Sequence, residues 1–302
     1  MHASRPSFRN GLDRRSLLGG LGALALARAV RPAGAATPSR VAAVDWAMLE
    51  TLLALGHPPV AAAELELYAR IVVEPPIPAG VADLGLRGSL NFEQLLLSRP
   101  DLILSSPFAK WARPQLERIA PVLSLPIYVP GEPPYGKAEA ATREVAARLG
   151  IAGAGERVVA DAAAEIDRIR AALAGRERRP VFIVNVGDPR HVRSFGEDSM
   201  FGNVLSRLGF DNAWRRPTSY RATAPVGLEA LAEVPEARIV VVGPVPPDAR
   251  RVLPQSALWK ALPAVAGGRA TFLPPVDAFG ALPAALRFAR LFAASLEASS
   301  NG

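Results

Sequence analysis

The sequence predicts an α/β protein of two lobes joined by one long α-helix, with a ligand cleft between the lobes. Three observations carry this. Short, β-rich apolar runs alternate with helical patterns along the chain, as expected for largely parallel sheets. The halves echo each other: "NFEQLLLSRPDLIL" (91–104) and "GLEALAEVPEARIVVV" (227–242) share a Glu-bearing helix, a proline and a strand. "LETLLALG" (49–56) and "FGNVLSRLG" (201–209) both close a helix on Leu-Gly, which points to a repeated unit. Between the halves, Val158, Val159, Ala162, Ile166, Ile169, Ala172 and Leu173 keep helical spacing in "GERVVADAAAEIDRIRAALAGRERRP" (155–180), which Gly175 and Pro180 end.

The elements follow in order. "RVAAV" (40–44) is a buried strand leading into the helix "DWAMLETLLALG" (45–56). In "VADLGLRGSL" (81–90), Arg87 stands after an apolar run and ahead of a helix-like segment, Asn91–Arg99, and the strand of "PDLIL" (100–104). "DLILSS" (101–106) precedes a polar, proline-broken segment. "PVLSLP" (121–126) then runs into a loop rich in Pro and Gly, "LPIYVPGEPPYG" (125–136). "KAEAATREVAARLG" (137–150) is an amphipathic helix stopped by Gly150. "RPVFIVNV" (179–186) and "ARIVVVG" (237–243) are buried strands, and "ALPAALRFARLFAASLEA" (281–298) is the closing helix. The expected boundaries are an export signal over 1–35, an N-terminal lobe over 36–152, a bridging helix over 153–178 and a C-terminal lobe over 179–302. A ligand site between two lobes is the default for such an architecture.

Half of the 302 residues are apolar, enough for two modest cores. The net charge of +7 sits mostly in residues 1–35, which hold six arginines and one acid. The remainder is close to neutral, so no nucleic acid partner is expected. Residues 1–35 have a basic start, an apolar run from Leu17 to Ala27 too short to span a bilayer, and small residues at Ala33-Gly34-Ala35. Arg14-Arg15 followed by Ser-Leu-Leu reads as a twin-arginine signal, with a general secretory signal as the alternative. No cysteine exists, so the fold rests on its core, and neither a thiolate metal site nor a lipid-anchored cysteine is available. A soluble, monomeric periplasmic protein is expected.

The catalytic motifs are weak. "GGLGALA" (19–25) falls in the leader, and "GAGER" (153–157) lacks a preceding strand and a third glycine. His2, His57 and His191 are not spaced as metal ligands, and no Gly-x-Ser-x-Gly elbow accompanies His191, read as a hydrogen-bonded loop residue. No catalytic residue, metal site or cofactor is expected. Trp46, Trp111, Trp214 and Trp259 fall near strand–helix junctions. Trp111, between Lys110 and Arg113, and Trp214, before "RRPTSYRATAP" (215–225), are candidates for a pocket wall as well as for core.

Several segments together resemble a known family: "AMLETLLALGHPPV", "VVEPPIPAGVADLGLRGSLNFEQLLLSRPDLIL", "LERIAPVLSLP", "DPRHVRSFGEDSMFGNVLSRLGFDNAW" and "ALWKALPAVAGGRATFLPPVDAFG". In order and spacing, over roughly 38–298, they are similar to the periplasmic ferric-hydroxamate siderophore-binding proteins of ABC importers. The resemblance implies two Rossmann-like lobes on a rigid helix and a shallow cleft for an iron(III)–trihydroxamate. The siderophore wraps the iron, so the protein supplies no iron ligand. The arginine of "DLGLR", Arg87, is implied to donate to hydroxamate oxygens; the competing expectation is a structural pair with a lobe acid such as Asp83. The chain departs from the pattern at Phe108, where a tyrosine is usual, and at Ile71, where a tryptophan is. Arg221, beside Tyr220, takes an aromatic position, and Asp277 and Phe279 stand for an aromatic pair. The expected ligand-binding set is therefore Arg87, Phe108, Trp111, Trp214, Tyr220, Arg221, Asp277, Phe279 and Ile71. The family also implies docking on a permease through one acid per lobe: Glu229, and Glu117 beside Gln115. Rival readings are the same fold binding a catecholate, citrate, haem or corrinoid chelate, or an exported α/β enzyme.

Overall fold

Alternation along the strands sets the frame. In β1 (Val41–Ala43), Val41 and Ala43 face one core while Ala42 and, just beyond the strand, Val44 face another. That is the two-residue period of a strand buried on both sides. The computed structural model describes His2, residues 37–218 and residues 223–298. The expected leader is outside the described residues except for His2, as are Tyr220 and Arg221.

The first half follows β1 with α1 (Trp46–Ala54), β2 (Ala61–Ala62), α2 (Leu65–Ile71), β3 (Ala82–Asp83), α3 (Phe92–Leu97) and β4 (Leu102–Ser105). After a 3-10 turn at Pro107–Ala112 come α4 (Arg113–Leu116), β5 (Val122–Ser124) and α5 (Tyr135–Arg148). The strands form one parallel sheet in the order β3-β2-β1-β4-β5. Side-chain caps start two of its helices, α1 and α3: Asp45 accepts from the Met48 amide and Asn91 from the Gln94 amide.

Next comes α6 (Ala152–Ala172), 21 residues and about 32 Å long, in chain order between the two sheets. It begins earlier than the apolar period shows, because Gly153 and Gly155 lie inside it. A Cβ on Gly155 would fall 2.6 Å from the Ala146 Cβ of α5, so glycine sets how closely these helices approach.

The second half contains β6 (Val181–Val186), β7 (His191–Phe195), α7 (Met200–Arg207), β8 (Thr223–Gly227) and β9 (Arg238–Gly243). Then follow α8 (Pro247–Val252), α9 (Ala257–Ala261), α10 (Pro263–Ala266), β10 (Ala270–Pro275) and α11 (Leu282–Ala298). The order is β10-β9-β6-β7-β8. β10, β9 and β6 are parallel, whereas β7 and β8 run antiparallel. This hairpin-like edge departs from the expected loop around His191. His191 opens β7, exposed, with Nδ1 2.9 Å from an Asp188 carboxylate oxygen.

Three cores result. The outer faces of the two sheets each pack their own short helices. The inner faces share one cluster running from Val41 and Leu104 through α1, α5, α6, α7 and α11 to Ile183 and Val242. The strand–helix architecture on two sheets is thus as the sequence predicted, yet from Thr37 onward the chain is one compact unit.

Candidate functional site

The loops after β1, β4, β5 and β10 meet at a small recess between the sheets. It is lined by Asp45, Trp46, Arg87, Ser106, Phe108, Tyr128 and Phe279, among others, and its volume is about 30 Å³. Strand ends facing a shared crevice are where open α/β sheets place their ligands.

Three rings form one wall. Phe108 and Tyr128 stack at 6.3 Å, and Phe279 meets both edge-on at 5.7 and 5.3 Å. The Tyr128 hydroxyl donates to the Gly280 carbonyl at 2.6 Å, tying the first half to the loop before α11. Burial, and then the negative charge of Asp277 and Glu50, push its pKa well up, so it stays a donor.

Arg87 forms the opposite wall. Its guanidinium carbon lies 3.6 Å from the centre of the Trp46 ring, in cation–π contact. Nε donates to Glu64 at 2.6 Å, and the Arg87 amide donates to the same carboxylate at 3.1 Å. Glu64 holds a left-handed backbone, φ 54°, which a non-glycine residue adopts at a cost on the order of 1–3 kcal/mol. The pair with a lobe acid that the sequence offered as the alternative is therefore present, made by Glu64, while Asp83, its named example, accepts from the Gly85 amide.

Behind the rings lie three buried acids. Asp45 is 7 % exposed, Asp277 6 % and Glu50 fully enclosed. Glu50, on α1, accepts from the amides of Ala281 and Ala284 at 2.8 and 3.1 Å, capping α11 from across the sheets. Burial raises the Glu50 pKa well above the usual range, and Asp277 adds to the rise while the two amides oppose it. Burial lifts Asp277 to about 6, against the Phe279 amide and Arg87. It raises Asp45 too, against the Met48 amide.

The expected site residues separate. Arg87, Phe108 and Phe279 come together at the recess; Asp277 does not line it, but is buried and accepts from the Phe279 amide. Trp111 does not join them: it is 47 % exposed and meets only Phe92 edge-on among the described rings. Ile71 ends α2 and packs against the shared core. Trp214 is buried in the outer core of the second sheet, under Arg216, and lines a separate hollow of about 540 Å³ with Gly131, Asp198 and Asn212. Glu229 and Glu117 are both exposed, and Glu117 pairs with Arg113 at 2.7 Å. Glu64, Tyr128, Asp45 and Glu50 were not singled out from the sequence. An acid directly after the buried run Ala61–Ala63 was the available signal for Glu64; Tyr128 lay in a proline-rich loop without one.

This arrangement, a fixed cation facing aromatic rings at the strand ends between two sheets, is also where known proteins can be compared. Residues 41–276 match the periplasmic binding protein family. The chain belongs to that family. It is 31% identical over 259 residues to the iron(3+)-hydroxamate-binding protein FhuD of Escherichia coli (strain K12), covering 86% of this chain and 87% of that one. The crystal structure of the siderophore-binding protein FhuD from Vibrio cholerae with bound Fe3+–Desferal superposes with a TM-score of 0.81 at 28% identity, covering 85% of this chain and 97% of that one. The triscatecholate siderophore-binding protein FeuA from Bacillus subtilis, complexed with ferri-bacillibactin, shares the fold at a TM-score of 0.69 and 17% identity, over 86% of this chain and 92% of that one. As a periplasmic binding protein, the chain has the two-sheet architecture these relatives share.

Proposed function

We propose that this protein captures an iron(III) siderophore of the hydroxamate type in the periplasm and passes it to an ABC importer. The observation that carries the reading is Arg87. It is held from behind by Glu64 and from below by Trp46 through Nε, its amide and its stacked face. The terminal guanidinium nitrogens make no bond among the described residues. They form a planar, permanently charged fork suited to two adjacent oxygens that share negative charge with a metal. The aromatic wall takes the apolar body of the chelate. The two FhuD relatives named above support the ligand class.

The siderophore supplies all iron ligands in this reading, and the protein performs no chemistry on it. Delivery would use Glu229 in the second half and Glu117 in the first, meeting basic residues of the permease; a leader of the twin-arginine type over residues 1–35 would bring the protein there. Charge reversal at Glu229 is expected to reduce uptake by cells while ligand binding persists; unchanged uptake would reject that docking role.

The test is intrinsic fluorescence of the mature protein titrated with ferrichrome and ferrioxamine B, with and without iron. Trp46 lies directly beneath Arg87 and reports on its surroundings. Saturable quenching by the ferric forms is expected, and Arg87→Ala should weaken it about ten-fold or more, the worth of one hydrogen bond to a charged group. Quenching by ferric catecholates or citrate alone would replace the ligand class and keep the fold.

A further inference from the structure

We propose that a hollow beside the recess is a carboxylate subsite, built on Lys110, Arg113 and Ser124, that seats an acidic arm of the siderophore; this rests on the siderophore reading above. The hollow measures about 180 Å³ and lies at the carboxyl ends of β4 and β5, where Ser105 and Ser124 line it. Ser106 and Pro107 line both this hollow and the recess, so the two share a wall. A chelate lying against Arg87 therefore has the hollow within reach of a flexible substituent.

The lining decides the class of ligand. Two of its side chains are cationic, Lys110 and Arg113, and none is acidic. The Lys110 ammonium makes no hydrogen bond or ion pair among the described residues. Arg113 gives Nε to Glu117 at 2.7 Å, and its terminal nitrogens make no hydrogen bond among the described residues. Glu117 does not line the hollow and answers only one of the two cations, so one positive charge is left over. Ser124 is half-buried, and its hydroxyl has no partner among the described residues. The other two serines are engaged with the chain itself: the Ser105 hydroxyl donates to the Ser106 carbonyl at 3.2 Å, and the Ser106 hydroxyl accepts from the Phe108 amide at 3.4 Å. What remains for a ligand is an ammonium, the outer edge of a guanidinium and one hydroxyl. All can donate, and two are charged, which suits a carboxylate and disfavours a cation or a bare apolar group.

The recess does not duplicate this role. Arg87 is committed in the siderophore reading to hydroxamate oxygens, and about 30 Å³ leaves no space for a second anionic group. The hollow has room for a carboxylate and its methylene stem. Three hydroxamates cancel the charge of iron(III), so a carboxylate outside the iron's coordination sphere is a net charge that only some siderophores carry. Lys110 and its neighbours would favour those over neutral chelates of the same core.

The N-succinyl and N-acetyl derivatives of ferrioxamine B isolate the effect. Both wrap iron in the same hydroxamates, and only the first ends in a carboxylate. Fluorescence titration of the wild-type protein is expected to give a dissociation constant about five-fold or more lower for the succinyl form, the range of a hydrogen-bonded ion pair at a partly enclosed site. The double variant Lys110→Met, Arg113→Gln should bring the ratio to about one by weakening the succinyl form, and Ser124→Ala should reduce it part-way. Lys110 and Arg113 are exposed, and circular dichroism melts show whether each variant is folded. Equal affinities in the wild type would overturn the inference and leave the hydroxamate reading standing. A preference that survives the double variant would place the carboxylate elsewhere and overturn the assignment. Equal affinities together with a melting shift by free succinate that the double variant loses would make a free anion the occupant, and would overturn the siderophore role of the hollow. Failure of both ferric forms to bind would remove the hydroxamate reading, and this inference with it.

Discussion

Three contacts fix the Arg87 side chain before any ligand arrives: the Trp46 ring below it, and the Glu64 carboxylate on both its amide and Nε. A lysine could keep the charge but neither the stacked plane nor the fork, so Arg87→Lys should lose nearly as much ferric-hydroxamate affinity as Arg87→Ala in the same titration. Tyr128→Phe removes the bond to Gly280 while keeping the ring, and should lower unfolding stability by about 1 kcal/mol in urea titrations. Asp277 gives a pH signature. Its pKa is lifted from 3.8 to about 6, so between those values the native chain binds more protons than the unfolded one. Stability contributed by this group is therefore present at low pH and lost as pH rises through that window. Melting curves should show Asp277→Asn gaining on the wild type from about pH 4 to pH 7, and parallel curves would reject the shift. Arg87 was legible in the sequence because a lone charge beside a strand–turn–helix unit stands out. Glu64 was hidden because its role depends on a left-handed backbone that no glycine or asparagine announces. Trp111, which among charges reads as a pocket wall, lies at the surface against Phe92 and apart from the recess, a placement its neighbours in sequence do not reveal.

Among the elements, α1 and α11 are joined end to side by Glu50. Removing that carboxylate leaves two helix-start amides buried without an acceptor. Glu50→Ala should therefore destabilise by roughly 2–4 kcal/mol, whereas Glu50→Gln retains an acceptor and should cost less. Denaturant midpoints of the two variants decide this. At the other helix pair, Gly155→Val would drive a branched side chain into Ala146 and should destabilise by about 1–3 kcal/mol or more. Long, periodic elements such as α6 and α11 were readable because a face buried along its whole length repeats every turn. β7 and β8 were not, because an edge hairpin alternates buried and exposed residues: "HVRSF" puts arginine and histidine on its open face. The buried acids escaped for a related reason. An acid within an apolar helix such as "WAMLETLLA" reads as a solvent-facing residue until the helix start it caps, some 230 positions later, is in place.

At the scale of the molecule, the core on the inner faces of the two sheets is continuous. Phe201 stacks on Phe288 at 4.7 Å, Phe210 meets Phe292 edge-on at 5.1 Å, and α1, α5 and α6 share the same cluster. Ion pairs reinforce it: Glu74 of the first half takes Arg287 at 2.6 Å and Arg290 at 2.7 Å, both on α11. A hinge would have to shear this packing. The radius of gyration from small-angle scattering is therefore expected to agree within about 1 Å with and without ferric ligand. A larger contraction would mean that the shared core yields.

The helix that completes this core follows every strand of both sheets along the chain. A chain still short of residue 281 has every strand of both sheets, but no amides for Glu50 to cap and no arginines for Glu74. The apolar faces of α1, α5, α6 and α7 stay open to water until this 17-residue helix arrives. A stop codon or a protease cut ahead of α11 would thus yield sticky, half-closed material rather than a smaller binder.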